Sequence, residues 1–520
     1  MAWTDKSNLA ARDVLPRALP GAIDEFLVSG GDGRLTLSND CQNAYGCTPF
    51  PAPGLIDFAS STASSISPEG YARARAAREE LLTASLSVGP NRACEAAVTA
   101  ARDALLNCLD LKDSGAEVVF SASGTDAQLQ TLFLVRLLNP GSLATVIAGA
   151  DQTGSGTAYT CRGRHFSQTT STGATVEKGA GVAGLDGIEG LEVGFRNEDG
   201  SFRTPAEMDD AVRRAVEQAL ATHDHVLLQA IEASKFGWKA PSDALLDEMA
   251  ARFPGRVQIV ADACQLRTSP VRLKELLSKG MLVLVTGSKF FTGPAFSGAL
   301  LVPSALAARL APARAPMGHL AGYATRFDWP EQWSGLRNSF SHRFNFGQWL
   351  RWEAALEEMR LYHAVPRDFR DHVTEIFRDA IQELVGGSSH LAFLDGGAEF
   401  APREPTIFAL RLIKDGDGLS ADACATIYRA MRRDLSTCGI SMQDRDLLRL
   451  ACQIGQPVAL AAGKAALRFS LSARIVRDCW SSDPGRAERN IMALRDDLSI
   501  AIRKLDLLVR IYPFSREAAA

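Results

Sequence analysis

Short β-rich runs recur between helical stretches through most of the chain: "EVVFSAS", "ATVIAG", "HVLLQAIE", "VQIVADA", "MLVLVTGS" and "GALLVP". Runs this apolar suit strands buried on both faces, and helices of roughly ten or more residues between them make βαβ units. An α/β fold with a largely parallel sheet is therefore expected. Sheets of this kind bind ligands just beyond the carboxyl ends of their strands. The residues that follow each run are where chemistry should be sought.

The rest of the chain sorts around that pattern. Residues 1–55 are rich in Gly, Pro, Asn and Asp and read as an irregular N-terminal arm. "SPEGYARARAAREELLTASL" and "ACEAAVTAARDALLNCLDL" read as helices, the first with a Ser-x-Glu start. We expect a large α/β domain over 56–340 and a connecting helix over 341–372, beginning in "SHRFNFGQWLRWEAALEEMRLY". A smaller C-terminal α+β domain over 373–520 would contain the helix "ADACATIYRAMRRDL" and the strands "TIFALRLI" and "AALRFSLS".

At 520 residues, the chain is too long for one simple core. Its 56 basic and 60 acidic residues are dispersed, so neither a nucleic-acid partner nor an acidic tail is indicated. Ten cysteines without a C-x-x-C pair suit a reducing compartment. No apolar run reaches membrane-spanning length and the start lacks the apolar core of a signal peptide. A soluble cytoplasmic protein with no membrane partner is expected, and no metal ligand set stands out.

Three features carry chemistry, in a fixed order. In "FSASGTDAQ" a strand runs through Ser123, Gly124 and Thr125 into a helix, an arrangement that offers N–H groups and hydroxyls to a phosphate. In "VQIVADACQ" an apolar strand ends on Asp262, with Gln265 three residues on. In "VTGSKFFTGPAFSGALLVP" a strand ends at Ser288-Lys289 and gives way to a glycine- and proline-rich stretch that reads as a loosely packed loop. That lysine is either a strand-end surface residue or an amine held in a cleft for covalent chemistry. A lysine shielded from water and close to other cations has a lowered pKa and can act as a neutral nucleophile.

Phosphate loop, aspartate and lysine in this order resemble the pyridoxal-phosphate enzymes of fold type I. The closer resemblance is to the class V aminotransferase and cysteine desulfurase group, over roughly residues 55–480. It implies pyridoxal 5'-phosphate as cofactor, with Lys289 as the Schiff-base lysine and proton carrier. Asp262 would pair with the pyridinium nitrogen, and Gln265 would hydrogen-bond the ring hydroxyl. Ser123, Gly124 and Thr125 would hold the phosphate, with Ser288 as a further donor. The family's Gly-Thr pair, which can reach the other subunit's phosphate, falls here at Gly347-Gln348. Arg468 in "AALRFSLSAR" resembles the arginine that receives the substrate carboxylate, the alternative being a structural ion pair. Cys452 in "RLACQIGQPV" resembles a desulfurase nucleophile, the alternative being inert core.

The family's ring-stacking aromatic has no counterpart in "AGADQTGSGTAYT", which leaves Gln152 or Thr153 to cover the ring. "PMGHLAGYATRFDWPEQWSGLRNSF" reads as a substrate-specific wall or lid, or as a plain surface loop with packed tryptophans. Lys235 in "EASKFGWKAPS" also follows an apolar strand, but it precedes Asp262, whereas the family's lysine follows the aspartate. The resemblance implies a homodimer that transforms a small-molecule amino acid through an external aldimine and a carbanion. Transamination demands least beyond the cofactor site. Elimination of the desulfurase type and decarboxylative or aldol-type carbon–carbon bond formation remain open, as does a non-catalytic binding protein of the same fold.

Overall fold

The computed structural model describes residues 8–10, 21–438 and 441–514. Residues 1–7 and 11–20 of the expected arm lie outside these. In chain order, β1 (Asn8–Ala10) and β2 (Ile56–Phe58) precede the large sheet. That sheet comprises β3 (Glu117–Ser121), β4 (Leu143–Ala148), β5 (Glu189–Val193), β6 (His225–Ile231), β7 (Val257–Asp262), β8 (Leu282–Thr286) and β9 (Gly298–Val302). β10 (Arg343–Asn345) pairs with β1. β11 (Leu391–Phe393), β12 (Ile407–Lys414), β13 (Asp417–Gly418), β14 (Cys452–Ala459) and β15 (Ala465–Ser470) build the smaller sheet.

The large sheet runs β3-β9-β8-β7-β6-β4-β5 and is mainly parallel. β9 is the exception, antiparallel to both β8 and β3. A parallel return needs a crossover of about a dozen residues or more, usually a helix. Only the loop 287–297 joins β8 to β9, so the chain turns straight back. The carboxyl ends of β3, β4, β6, β7 and β8 all meet one edge of the sheet.

The expected helices form where their caps allow. Pro68–Val88 starts at Ser67, whose hydroxyl accepts from the Gly70 N–H, with Pro68 in the first turn. Pro205–Thr222 starts with a reciprocal capping box between Thr204 and Glu207. Phe346–His363 is buried along much of its length, including Trp349, Leu350, Trp352, Ala355 and Met359, and lies beneath the lysine loop.

One expectation about packing changes. The loop 287–297 is tight rather than loose: a Cβ at Gly287 or Gly293 would sit 2.6 or 2.5 Å from Ala355 Cβ. Its glycines are there for close approach of backbone to a helix. The Trp-rich stretch has its tryptophans packed: Trp329 and Trp333 are fully buried, and Trp329 packs against Phe133 and Phe340.

The smaller sheet runs β11-β12-β15-β14-β2, with β13 on β12. β2 joins it parallel to β14, so residues 56–58 belong to the sheet of the C-terminal part. Pro457 lacks an N–H for the ladder, and the β14–β15 register shifts between Gly455 and Val458 around it. Val373, Phe377, Phe469 and Leu505 help fill a second core behind this sheet. No helix of the described residues is long and apolar enough to cross a membrane.

Candidate active site

The site lies where the loops after β6, β7 and β8 meet β15, its following turn and the turn after β2, beside the loops after β3 and β4. Ser123 caps the Gly124–Leu138 helix: its hydroxyl accepts from the Asp126 N–H and donates to the Asp126 carboxylate. Gly124 and Thr125 thus begin an open first turn, where N–H groups lack intrahelical partners. A Cβ on Gly124 would lie 2.8 Å from Cys264 Sγ, and one on Gly298 would lie 2.4 Å from the Ser123 carbonyl carbon. Only glycine lets β9 and the helix start close up this way. Burial, reinforced by the Asp32 charge, pushes the Asp126 carboxyl up to about 6.

β7 ends on Asp262, which accepts from the Cys264 N–H (3.0 Å). Its flanking strands are β6 and β8, with Asp262 in register with Ile231 on one side and Leu284 on the other. Lys235 follows β6 and Lys289 follows β8, so the aspartate has a lysine-bearing loop on either side. Gln265 is buried; its Nε2 donates to the Ser61 carbonyl (3.1 Å), while its Oε1 has no hydrogen-bond partner among the described residues.

Lys289 is held by its neighbours' backbone. The Phe290 N–H donates to the Gln265 carbonyl (3.3 Å) and the Ala473 N–H to the Phe290 carbonyl (2.8 Å), tying the loop to both parts of the molecule. Ser288 is buried beside it. Gln152 also reaches the cleft, buried after β4: its carbonyl accepts from the Lys235 N–H (3.3 Å) and its side chain from the Ser234 hydroxyl.

At the other end of the cleft cations accumulate. Arg468 on β15 is buried and pushed down to about 10 by that burial. Its five N–H donors are all engaged: Nε with the Gln456 carbonyl (3.2 Å), Nη1 with the carbonyls of Ser61 (3.3 Å) and Lys235 (3.2 Å), Nη2 with Thr62 Oγ1 (2.9 Å) and the Gln456 carbonyl (3.1 Å). Its partners are carbonyls and a hydroxyl, so among the described residues it makes no structural ion pair. Arg267 lies close by, donating to Thr406, Leu471 and Ser60, and is lowered to about 9 by burial and then by Arg468.

Two sequence-derived candidates sit elsewhere. Cys452, the first residue of β14, is fully buried in the core behind the smaller sheet, where burial raises its thiol to about 11. Gly347 packs on the carbonyls of Phe26 and Ser29, where a Cβ would come within 2.4 Å of either oxygen. Gln348 beside it donates to Asp328 (2.8 Å).

Sequence reasoning passed over Arg34, Ser61, Thr62 and Arg267. Arg34 pairs with Asp32, lies over the rings of Phe166 and Phe296, and comes within 3.5 Å of Ser123 Oγ. Nothing local in "GGDGRLTLS" marks it. A polar run just after a strand could have flagged Ser61 and Thr62 in "DFASSTASS".

No family model and no curated protein matches the chain. Solved structures do. The chain is similar to Oryza sativa TDC with PLP and tryptamine, at TM-score 0.50 and 15% identity over 86% of this chain and 84% of that one. It is equally similar to a NifS-like protein, at TM-score 0.50 and 12% identity over 86% of this chain and 99% of the other. The likeness is one of fold: the chain has the fold type I architecture of pyridoxal-phosphate enzymes.

Proposed function

We propose that this protein is a pyridoxal-phosphate enzyme acting on an amino acid, with transamination as its reaction. The observation that carries the reading is the placement of Asp262 at the end of β7 between the loops that bear Lys289 and Lys235, opposite the glycine-built cup at Ser123–Thr125. The residues present fit the cofactor. Gln265 Oε1 is a buried acceptor in need of a donor, the open helix turn suits a phosphate, and Lys289 Nζ has no hydrogen-bond or ion-pair partner among the described residues.

Gly124 and Thr125 would hold the phosphate through backbone N–H groups, with the Ser123 and Ser288 hydroxyls nearby. Asp262 would keep the pyridine nitrogen protonated, and Gln265 would accept from the ring hydroxyl. When bound, the cofactor supplies an electron sink for negative charge developing at the substrate's α carbon. Lys289 would anchor it covalently and, once released, carry a proton to and from that carbon. The cationic end at Lys235, Arg267 and Arg468 would draw in the substrate's acidic group.

Transamination needs no acid–base group beyond Lys289. A desulfurase would need a reactive thiol facing the substrate, but Cys452 lies in the other core, and Cys264, packed behind Gly124, is held protonated by burial and then by Asp262. The test is reconstitution with pyridoxal phosphate, borohydride reduction and peptide mapping. The cofactor mass should appear on Lys289, the visible band should be lost in Lys289→Ala, and an amino acid should release its keto acid. Label on Lys235 would refute the site assignment, and sulfide or carbon dioxide in place of keto acid would refute the reaction.

A further inference from the structure

We infer that Lys235, not Arg468, receives the substrate's carboxylate, and that Arg468 is a positioning residue which fixes the Lys235 backbone; this rests on the cofactor reading above. Arg468 has no N–H left to offer. All five donate to protein oxygens, one of them the Lys235 carbonyl at 3.2 Å. To take a carboxylate, it would first have to abandon carbonyls buried with it, each of which would then be left unsatisfied. Arg267 is engaged through Nη1 by Thr406 and Leu471 and through Nη2 by Ser60, while its Nε is buried without a partner among the described residues.

Lys235 is the reverse case. Its backbone is clamped at both ends, N–H to the Gln152 carbonyl (3.3 Å) and carbonyl to Arg468, while its Nζ has no hydrogen-bond or ion-pair partner among the described residues. A partly buried ammonium without a partner is costly, and an arriving anion relieves that cost. The charges that reach it are Arg468 and Lys289, which repel, and Asp151 after β4, which attracts. Burial first, and then those two cations, lower its amine to about 8. Its charge, and with it the attraction for a carboxylate, is present below that value and lost as the pH rises through it. Asp262 lies between the loops carrying Lys235 and Lys289, so a carboxylate on Lys235 would leave the amine end of the same molecule toward Lys289.

The test uses cofactor-loaded protein and succinate as an unreactive carboxylate probe, with affinity read by calorimetry between pH 7 and 9.5. The visible band is recorded first. A band lost in Lys289→Ala but intact in Lys235→Met separates failure of the cofactor reading from failure of this one. Lys235→Met should weaken succinate by about tenfold to a hundredfold, the range of a charge-assisted hydrogen bond. Lys235→Arg should bind within a few-fold of wild type but lose the decline above pH 8, because a guanidinium does not titrate there. Equal binding by wild type and Lys235→Met would overturn the inference. So would loss of succinate binding in Arg468→Lys with full binding in Lys235→Met.

Discussion

At Gly298 a single hydrogen in place of a methyl group lets β9 begin against the carbonyl of Ser123. Gly298→Ala should push that carbonyl and the cup out of place. We expect a loss of about 1–3 kcal/mol in urea denaturation, the usual cost of overpacking, together with weaker pyridoxal-phosphate binding. Unchanged stability and affinity would show that the cup is not built by this contact. Gly124, by contrast, was readable from its motif, because Ser-Gly-Thr between strand and helix is a local pattern. The role of Gly298 was not, since the clash it avoids involves residues 175 positions earlier in the chain, a separation no local pattern encodes.

The Gly124–Leu138 helix carries its own pH signature. Asp126 in its first turn is buried and its carboxyl is raised to about 6, above the ordinary value of 3.8. The folded protein therefore holds this proton more firmly than the unfolded chain does. Stability from this group is complete below about pH 4 and falls as the pH rises toward 6. Thermal melts across that window should show the decline for wild type and a flatter profile for Asp126→Asn. The opposite slope would mean that the carboxylate is stabilised in the fold. The helix was legible in sequence from its period and its serine cap. The carboxyl shift was not, because much of it comes from burial against the N-terminal segment bearing Asp32.

At the scale of the molecule, the N-terminal segment is bound into the large domain. Arg351, fully buried in the Phe346–His363 helix, donates to the carbonyls of Leu27, Ser29, Gly30 and Phe296. Arg351→Met should cost on the order of 3 kcal/mol or more by stranding these oxygens. A chain starting at residue 31 should lose more, since Phe26 and Leu27 leave the core with it, and the two changes together should still cost less than their sum, because both break the bonds from Arg351 to Leu27, Ser29 and Gly30. Simple additivity in denaturation would exclude the shared mechanism. The sequence alone determined what is periodic or local: the α/β class, the strand-to-loop positions of Asp262 and Lys289, and the serine-capped helix that begins the cup. Tertiary structure alone decided that β2 joins the distant sheet, that Cys452 falls in a separate core, and that Arg468 spends its donors on protein oxygens while the Lys235 amine keeps its own. Strand period and caps are set by neighbouring residues, whereas hydrogen-bond satisfaction and burial are set by whichever segments the fold brings into contact.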